Sequence, residues 1–234
     1  ELLEYLQELL LDLLHFVLLA DEVDGLEVVV AVARHHDAHV GVLLAHLAQT
    51  AALSPDESGQ VAWTAADLLW DVEVEYPQFN GDSYAPVNYD GRFHGPVRLR
   101  SALANSYNIP AVLLLQDLGV PAYLDFARQM GISTWTGDSS QYGLSLTLGG
   151  AEVTPLDLTT AYGVFANGGG YVPPVGILRV EKANGDLLYE YEPPAPQPVL
   201  DARVAYLISD ILDDDEARAP AMGPLKGMPE IDRA

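Results

Sequence analysis

Residues 100–112 read Arg100-Ser101-Ala102-Leu103-Ala104-Asn105-Ser106-Tyr107-Asn108-Ile109-Pro110-Ala111-Val112. Leu99 and Leu103 stand four apart, as one face of a helix requires, so the spacing predicts a helix over 97–106. Pro110 disfavours helical geometry at Ile109, which breaks the chain and predicts a second helix over 110–118, closed by Gly119. Ser106 and Asn108 fall in the break, and both residue types tolerate it. Ile109 and Val112 would then anchor the segment in the core, with Ser106 and Asn108 side by side at the mouth of a cleft. The alternative is that both polar groups only cap helix ends.

On either side the chain is well punctuated. A third helix is predicted over 121–130, ending at Gly131. Thr154-Pro155-Leu156-Asp157 offers an N-cap, a proline at the first helical position and a capping acid, opening a helix through Ala166 that stops at Asn167-Gly168-Gly169-Gly170. Segments 175–181 and 187–191 flank Asn184-Gly185, a hairpin signal. Asp201 should cap a helix to about Leu212. Before residue 64 the grammar differs: 1–20 reads as a helix, 26–33 as a buried strand, and 40–53 as either a helix or a buried segment.

Of 234 residues, 34 are Asp or Glu and 11 are Lys or Arg, a formal charge of −23. That balance argues against a nucleic-acid grip, which needs clustered Lys and Arg, and against an anionic membrane surface. With no Cys there is neither a disulfide frame nor a thiolate nucleophile. No segment reads as membrane-spanning or as a signal peptide, so a secreted or anchored origin would come from residues outside this chain.

Two clusters invite a metal. His35-His36-Asp37-Ala38-His39 holds good zinc or nickel ligands, with His35 and His39 on one helix face. A polar surface turn between two apolar segments explains it more simply, and no metal is expected. Asp213-Asp214-Asp215-Glu216 lacks the spacing of a calcium loop and reads as a solvated helix end. A Ser-x-Asn triplet such as Ser106-Tyr107-Asn108 is weak alone, since ten Ser and six Asn give about 0.26 chance matches.

Its surroundings are specific. Tyr84-Ala85-Pro86-Val87-Asn88-Tyr89-Asp90-Gly91, then Gly95-Pro96-Val97, then residues 100–112, closely resemble the transpeptidase domain of penicillin-binding proteins, in particular the bifunctional class A enzymes of the 1C type. Tyr142-Gly143-Leu144-Ser145-Leu146-Thr147-Leu148-Gly149-Gly150 and segments 158–170 and 201–221 continue the resemblance in order. It covers about 64–223, leaving 1–63 as an N-terminal segment of uncertain origin and 224–234 as a tail outside the family pattern. The resemblance implies an α/β (α+β) fold of the serine β-lactamase and penicillin-binding type, helices packed on an antiparallel sheet, here truncated. It implies peptidoglycan cross-linking by D,D-transpeptidation at the outer face of the bacterial inner membrane, with D-Ala-D-Ala stem peptides and β-lactams as ligands and no cofactor. Ser106 and Asn108 would be its proton-relay and amide-binding pair.

Such domains carry Ser-x-x-Lys, Ser-x-Asn and Lys-Thr-Gly. Here the lysines are Lys182 and Lys226, preceded at three residues by Arg179 and Gly223, so no Ser-x-x-Lys exists. By family order it belongs around 43–53, which holds neither Ser nor Lys; the nearby Ser54-Pro55-Asp56-Glu57 offers Glu instead. Lys226 is followed by Gly227-Met228, not by Thr-Gly. A serine without a base in reach is a poor nucleophile, so the chain is expected to be inactive as given. It reads as a degenerate relative or, favoured by the abrupt loss of pattern at both ends, a genuine fragment flanked by foreign sequence. The rival functions are a non-catalytic muropeptide-binding or structural remnant and, more weakly, a metal-binding protein through His35, His36 and His39.

Overall fold

The computed structural model describes residues 19–23, 26–30, 37–56, 58–77 and 83–223, with side chains from Leu44 onward except that of Met222. The first described element is an antiparallel hairpin, β1 (Leu19–Val23) and β2 (Leu26–Val30), in the register Leu19 to Val30. Leu19 and Ala20 therefore belong to a strand, where sequence predicted the end of a helix; residues 1–18 lie outside the described residues. The open choice at 40–53 resolves as a helix, α1 (Asp37–Leu53).

Helix α1 is the axis of the core. Leu44, Leu47, Ala48, Ala52 and Leu53 are buried, and so are the polar His46, Gln49 and Thr50. Thr50 returns its hydroxyl to the His46 carbonyl at 2.7 Å, whereas both polar atoms of Gln49 lack a partner among the described residues. Against α1 pack α3 (Asn108–Leu118) and the 3-10 turn Leu144–Leu148. Helix α3 buries Ile109, Ala111, Val112, Leu114 and Leu115. Helix α4 (Val120–Gln129) buries Tyr123, Leu124 and Ala127; Tyr123 donates its hydroxyl to the Leu44 carbonyl at 3.0 Å and packs on Trp135, ring centroids 5.7 Å apart. Helices α5 (Pro155–Ala166) and α6 (Ala202–Leu212) close the other side, and α7 (Asp215–Met222) follows.

Two features at 97–110 correct the sequence reading. Val97 is in a strand, β6 (Gly95–Arg98), paired antiparallel with β3 (Leu68–Asp71), and the helix α2 spans only Leu99–Ala104. Pairing with a strand about thirty residues upstream outweighed the local helical spacing. Helix α3 begins at Asn108, two residues before Pro110, because a proline in the first helical turn removes an N–H that has no intrahelical acceptor anyway. The break lies at 105–107 instead of at Ile109.

Caps fall where the sequence placed them at α5 and α6. Thr154 accepts from the Asp157 N–H at 3.1 Å, and Asp201 from the Arg203 N–H at 2.8 Å. The acidic run divides: Asp213 ends α6 and Asp214 caps α7, accepting from the Ala217 N–H at 2.9 Å while binding Arg100 at 2.7 Å. At Gly169, φ is +97° and a Cβ would run into the Leu200 carbonyl, so only glycine lets the two segments approach.

Strands pair two by two among the described residues, all antiparallel: β1–β2, β3–β6, β4–β5 (Tyr76–Pro77, Ser83–Tyr84), β7–β10 (Gly170–Tyr171, Gln197–Pro198) and β8–β9 (Arg179–Glu181, Leu187–Glu190). The β8–β9 ribbon, turning at the expected Asn184-Gly185, leaves Ile177, Leu178, Leu187, Leu188 and Tyr189 exposed. Among the described residues no single helix is long and apolar enough to cross a membrane.

Candidate functional site

The turn from α2 to α3 has the hydrogen bonds of a Schellman cap. The Ser106 N–H donates to the Leu103 carbonyl and the Tyr107 N–H to the Ala102 carbonyl, each at 3.0 Å. Such a cap puts its central residue in the left-handed region, normally glycine. Here it is Ser106, at φ +52°, the one non-glycine residue with positive φ among the described residues. Its side chain is buried and its Oγ has no partner among the described residues. Left-handed geometry costs a non-glycine residue roughly 1–2 kcal/mol, and a buried unpaired hydroxyl about 1–3 kcal/mol more. Two local costs therefore meet at one residue, and no hydrogen bond among the described residues offsets them.

The neighbours hold this turn from both sides. Asn105 donates to the carbonyls of Ser101 (2.9 Å) and Ala217 (2.8 Å) and accepts from the Ala221 N–H (3.0 Å), tying the turn to α7. Tyr107 is buried and stacks on His94, ring centroids 4.0 Å apart, and burial raises its hydroxyl pKa. Asn108 is half-buried as the first residue of α3; its Nδ2 donates to the Val87 carbonyl at 2.8 Å. Ile109 and Val112 are fully buried beneath it, as sequence expected.

The end of α1 and the end of α3 share one cavity of about 440 Å³, lined by Ala51, Ala52 and Ser54 from the first and Asp117 and Leu118 from the second. The Asn108 end of α3 lies away from this cavity, one helix length from Leu118. Ser54 is at the opposite end, its Oγ donated to the Thr50 carbonyl at 2.8 Å. The eleven residues of α3 span about 16 Å, so Ser54 cannot serve as a nucleophile beside Ser106.

Other candidate groups are also placed. Lys182 is exposed on the β8–β9 ribbon near Asp186, and Lys226 lies outside the described residues. His35 and His36 lie outside them too, while His39 sits in α1 with no side chain described. Among the described residues no three His, Asp or Glu side chains could hold a metal ion. His46 is buried against Tyr162, Nδ1 to Oη 2.7 Å, and desolvation lowers its pKa to about 4; it is a neutral core residue.

Sequence reasoning missed the groups that support the turn. Asn88, Asp71 and His94 are buried or half-buried and bonded to one another, with Asn88 also reaching α3. The signal available was Asn88 itself, a carboxamide inside the Pro86–Gly91 turn block whose partners, besides the Arg92 carbonyl, lie 17 to 21 residues away.

The family model for the penicillin binding protein transpeptidase domain matches residues 72–227. Penicillin-binding protein 1A of Aquifex aeolicus (strain VF5) is 36% identical over 151 residues, covering 63% of this chain and 20% of that protein. Penicillin-binding protein 1A of Pseudomonas aeruginosa is 35% identical over 133 residues, 56% of this chain and 16% of that protein. The chain thus spans about a fifth of the length of these curated relatives. They carry the 1A designation; the 1C type remains an expectation from sequence. The fold is similar to penicillin-binding protein 1A from Haemophilus influenzae (TM-score 0.61, 24% identity, 76% of this chain and 29% of that one). It is also similar to an imipenem acyl-enzyme complex of penicillin-binding protein A from M. tuberculosis (TM-score 0.62, 19% identity, 77% and 43%). The mixed helical and antiparallel architecture is that of the α/β penicillin-binding fold.

Proposed function

This chain belongs to the penicillin-binding protein transpeptidase family, and from that premise we propose that it is a partial transpeptidase domain of peptidoglycan synthesis that binds D-Ala-D-Ala stem peptides and β-lactams without being acylated by them. The observation that carries this reading is Ser106, strained and with no hydroxyl partner among the described residues, two positions before Asn108. A carboxamide and a hydroxyl together present the donors and acceptors that a peptide amide needs. What the chain lacks is a serine with a lysine three residues on, so no activated nucleophile stands beside the pair. Its place, by kinship, is the extracytoplasmic face of the bacterial inner membrane.

The test has two arms. The full chain is incubated with benzylpenicillin and its intact mass measured; no adduct is expected, because loss of an activating base alone slows such steps about 10²–10⁴-fold and loss of the nucleophile removes the covalent path. A stoichiometric adduct on Ser54 or Ser106 would overturn the reading of inactivity. In the second arm, diacetyl-Lys-D-Ala-D-Ala is titrated into ¹⁵N-labelled protein. Saturable shifts of the Asn108 side-chain amide support binding, and their absence at millimolar peptide leaves a structural remnant.

A further inference from the structure

We propose that Asp71 is a positioning residue for the Ser106–Asn108 turn, acting through the side chain of Asn88; the proposal rests on the reading that this turn meets an amide-bearing ligand. Helix α3 opens without a cap of its own, since the residue before it, Tyr107, makes no side-chain capping bond. Its first two N–H groups, from Asn108 and Ile109, instead donate to Asn88 Oδ1 at 2.9 and 3.4 Å. A residue twenty positions upstream thus does the work of an N-cap.

A carboxamide can do this only in one of its two orientations, because turning it over would set Nδ2 against the donors of α3. Asp71 fixes the choice together with the Arg92 carbonyl. Its carboxylate is fully buried and ends β3, and when ionised it only accepts. Asn88 Nδ2 lies 2.8 Å from each of its oxygens and 2.8 Å from the Arg92 carbonyl, so Oδ1 must face α3. The carboxylate is held in turn by the His94 N–H at 3.0 Å and by His94 Nδ1 at 2.5 Å. His94 Nε2 sits 3.2 Å from Asp90, and its ring stacks on Tyr107, inside the turn itself. One buried carboxyl group therefore sets both the start of α3, through Asn88, and the ring that packs on Tyr107, through His94.

The experiment compares the full-length chain with Asp71→Asn, which preserves shape but replaces one acceptor facing Asn88 Nδ2 with a donor, leaving only one carboxamide oxygen and the Arg92 carbonyl to hold the orientation. Amide hydrogen exchange at Asn108 and Ile109 is expected to quicken at least tenfold, while Leu115 and Ala161 keep their protection. Affinity for diacetyl-Lys-D-Ala-D-Ala is expected to fall about tenfold, and Asp71→Glu to recover part of it. A residue with only a general structural role would move all these amides together. Unchanged exchange at Asn108 and Ile109, or loss of protection throughout, overturns the proposal. Should Asp71→Asn fail to fold, Asn88→Ala, which leaves the His94 bonds of Asp71 in place, gives the same readout. If the unsubstituted chain binds no peptide while exchange quickens only at Asn108 and Ile109 in the variant, the positioning role stands and the ligand reading falls.

Discussion

At position 106 a glycine would satisfy the backbone better than the serine found there. Ser106→Gly removes the left-handed strain and the unpaired hydroxyl together, so it is expected to stabilise the fold by about 1–2 kcal/mol. Peptide binding should weaken at the same time. Urea melts and the peptide titration check the two effects, and a destabilised Ser106→Gly would show that the hydroxyl has a structural partner. Ser106 and Asn108 stood out in sequence through the family blocks around them, although the break lies at 105–107 and not at Ile109. Asp71 and His94 were not, because their role depends on β3 and β6 pairing, which sets Asp71 opposite Gly95. No pattern confined to a window of ten residues carries that information.

Among the elements, α1 is where local and global preferences disagree. It is helical and central, yet it carries three polar side chains into the core, and Gln49 finds no partner there. His46 makes the disagreement measurable. Burial lowers its pKa from 6.5 to about 4, so between those values the unfolded chain binds a proton that the folded chain does not. Stability is therefore expected to fall as pH drops from 6.5 towards 4, by up to about 3 kcal/mol. His46→Asn, which can still accept from the Tyr162 hydroxyl, should flatten that part of the profile in urea melts at pH 7, 5.5 and 4.5. An unchanged slope would mean that His46 is protonated in the folded state. The elements most legible in sequence were those with caps or turns of their own, at Thr154, Asn184-Gly185 and Asp201. The start of α3 and the strand at Gly95–Arg98 were misread because distant partners, Asn88 and β3, set them.

For the whole molecule, a formal charge of −23 on 234 residues makes self-repulsion a continuous load on the compact state. Raising NaCl from 0.02 to 0.5 M shortens the Debye length from about 20 Å to about 4 Å and should raise Tm by about 2–4 °C for each 1 kcal/mol of repulsion screened. Thermal melts across that range check it; a Tm that falls with salt would mean that attractive ion pairs such as Arg100 with Asp210 and Asp214 outweigh the excess of acid.

The β8–β9 ribbon gives that repulsion a second role. It is two strands wide, with apolar Leu187, Leu188 and Tyr189 all exposed along β9. A narrow ribbon with exposed apolar side chains offers its free strand edge, here that of β9, as a template on which another chain can add a strand. What keeps two such ribbons apart in dilute salt is the charge each molecule carries. Colloidal and conformational stability are therefore expected to pull in opposite directions: the ions that firm the fold also let the ribbons meet, so solubility should fall over the salt range in which Tm rises.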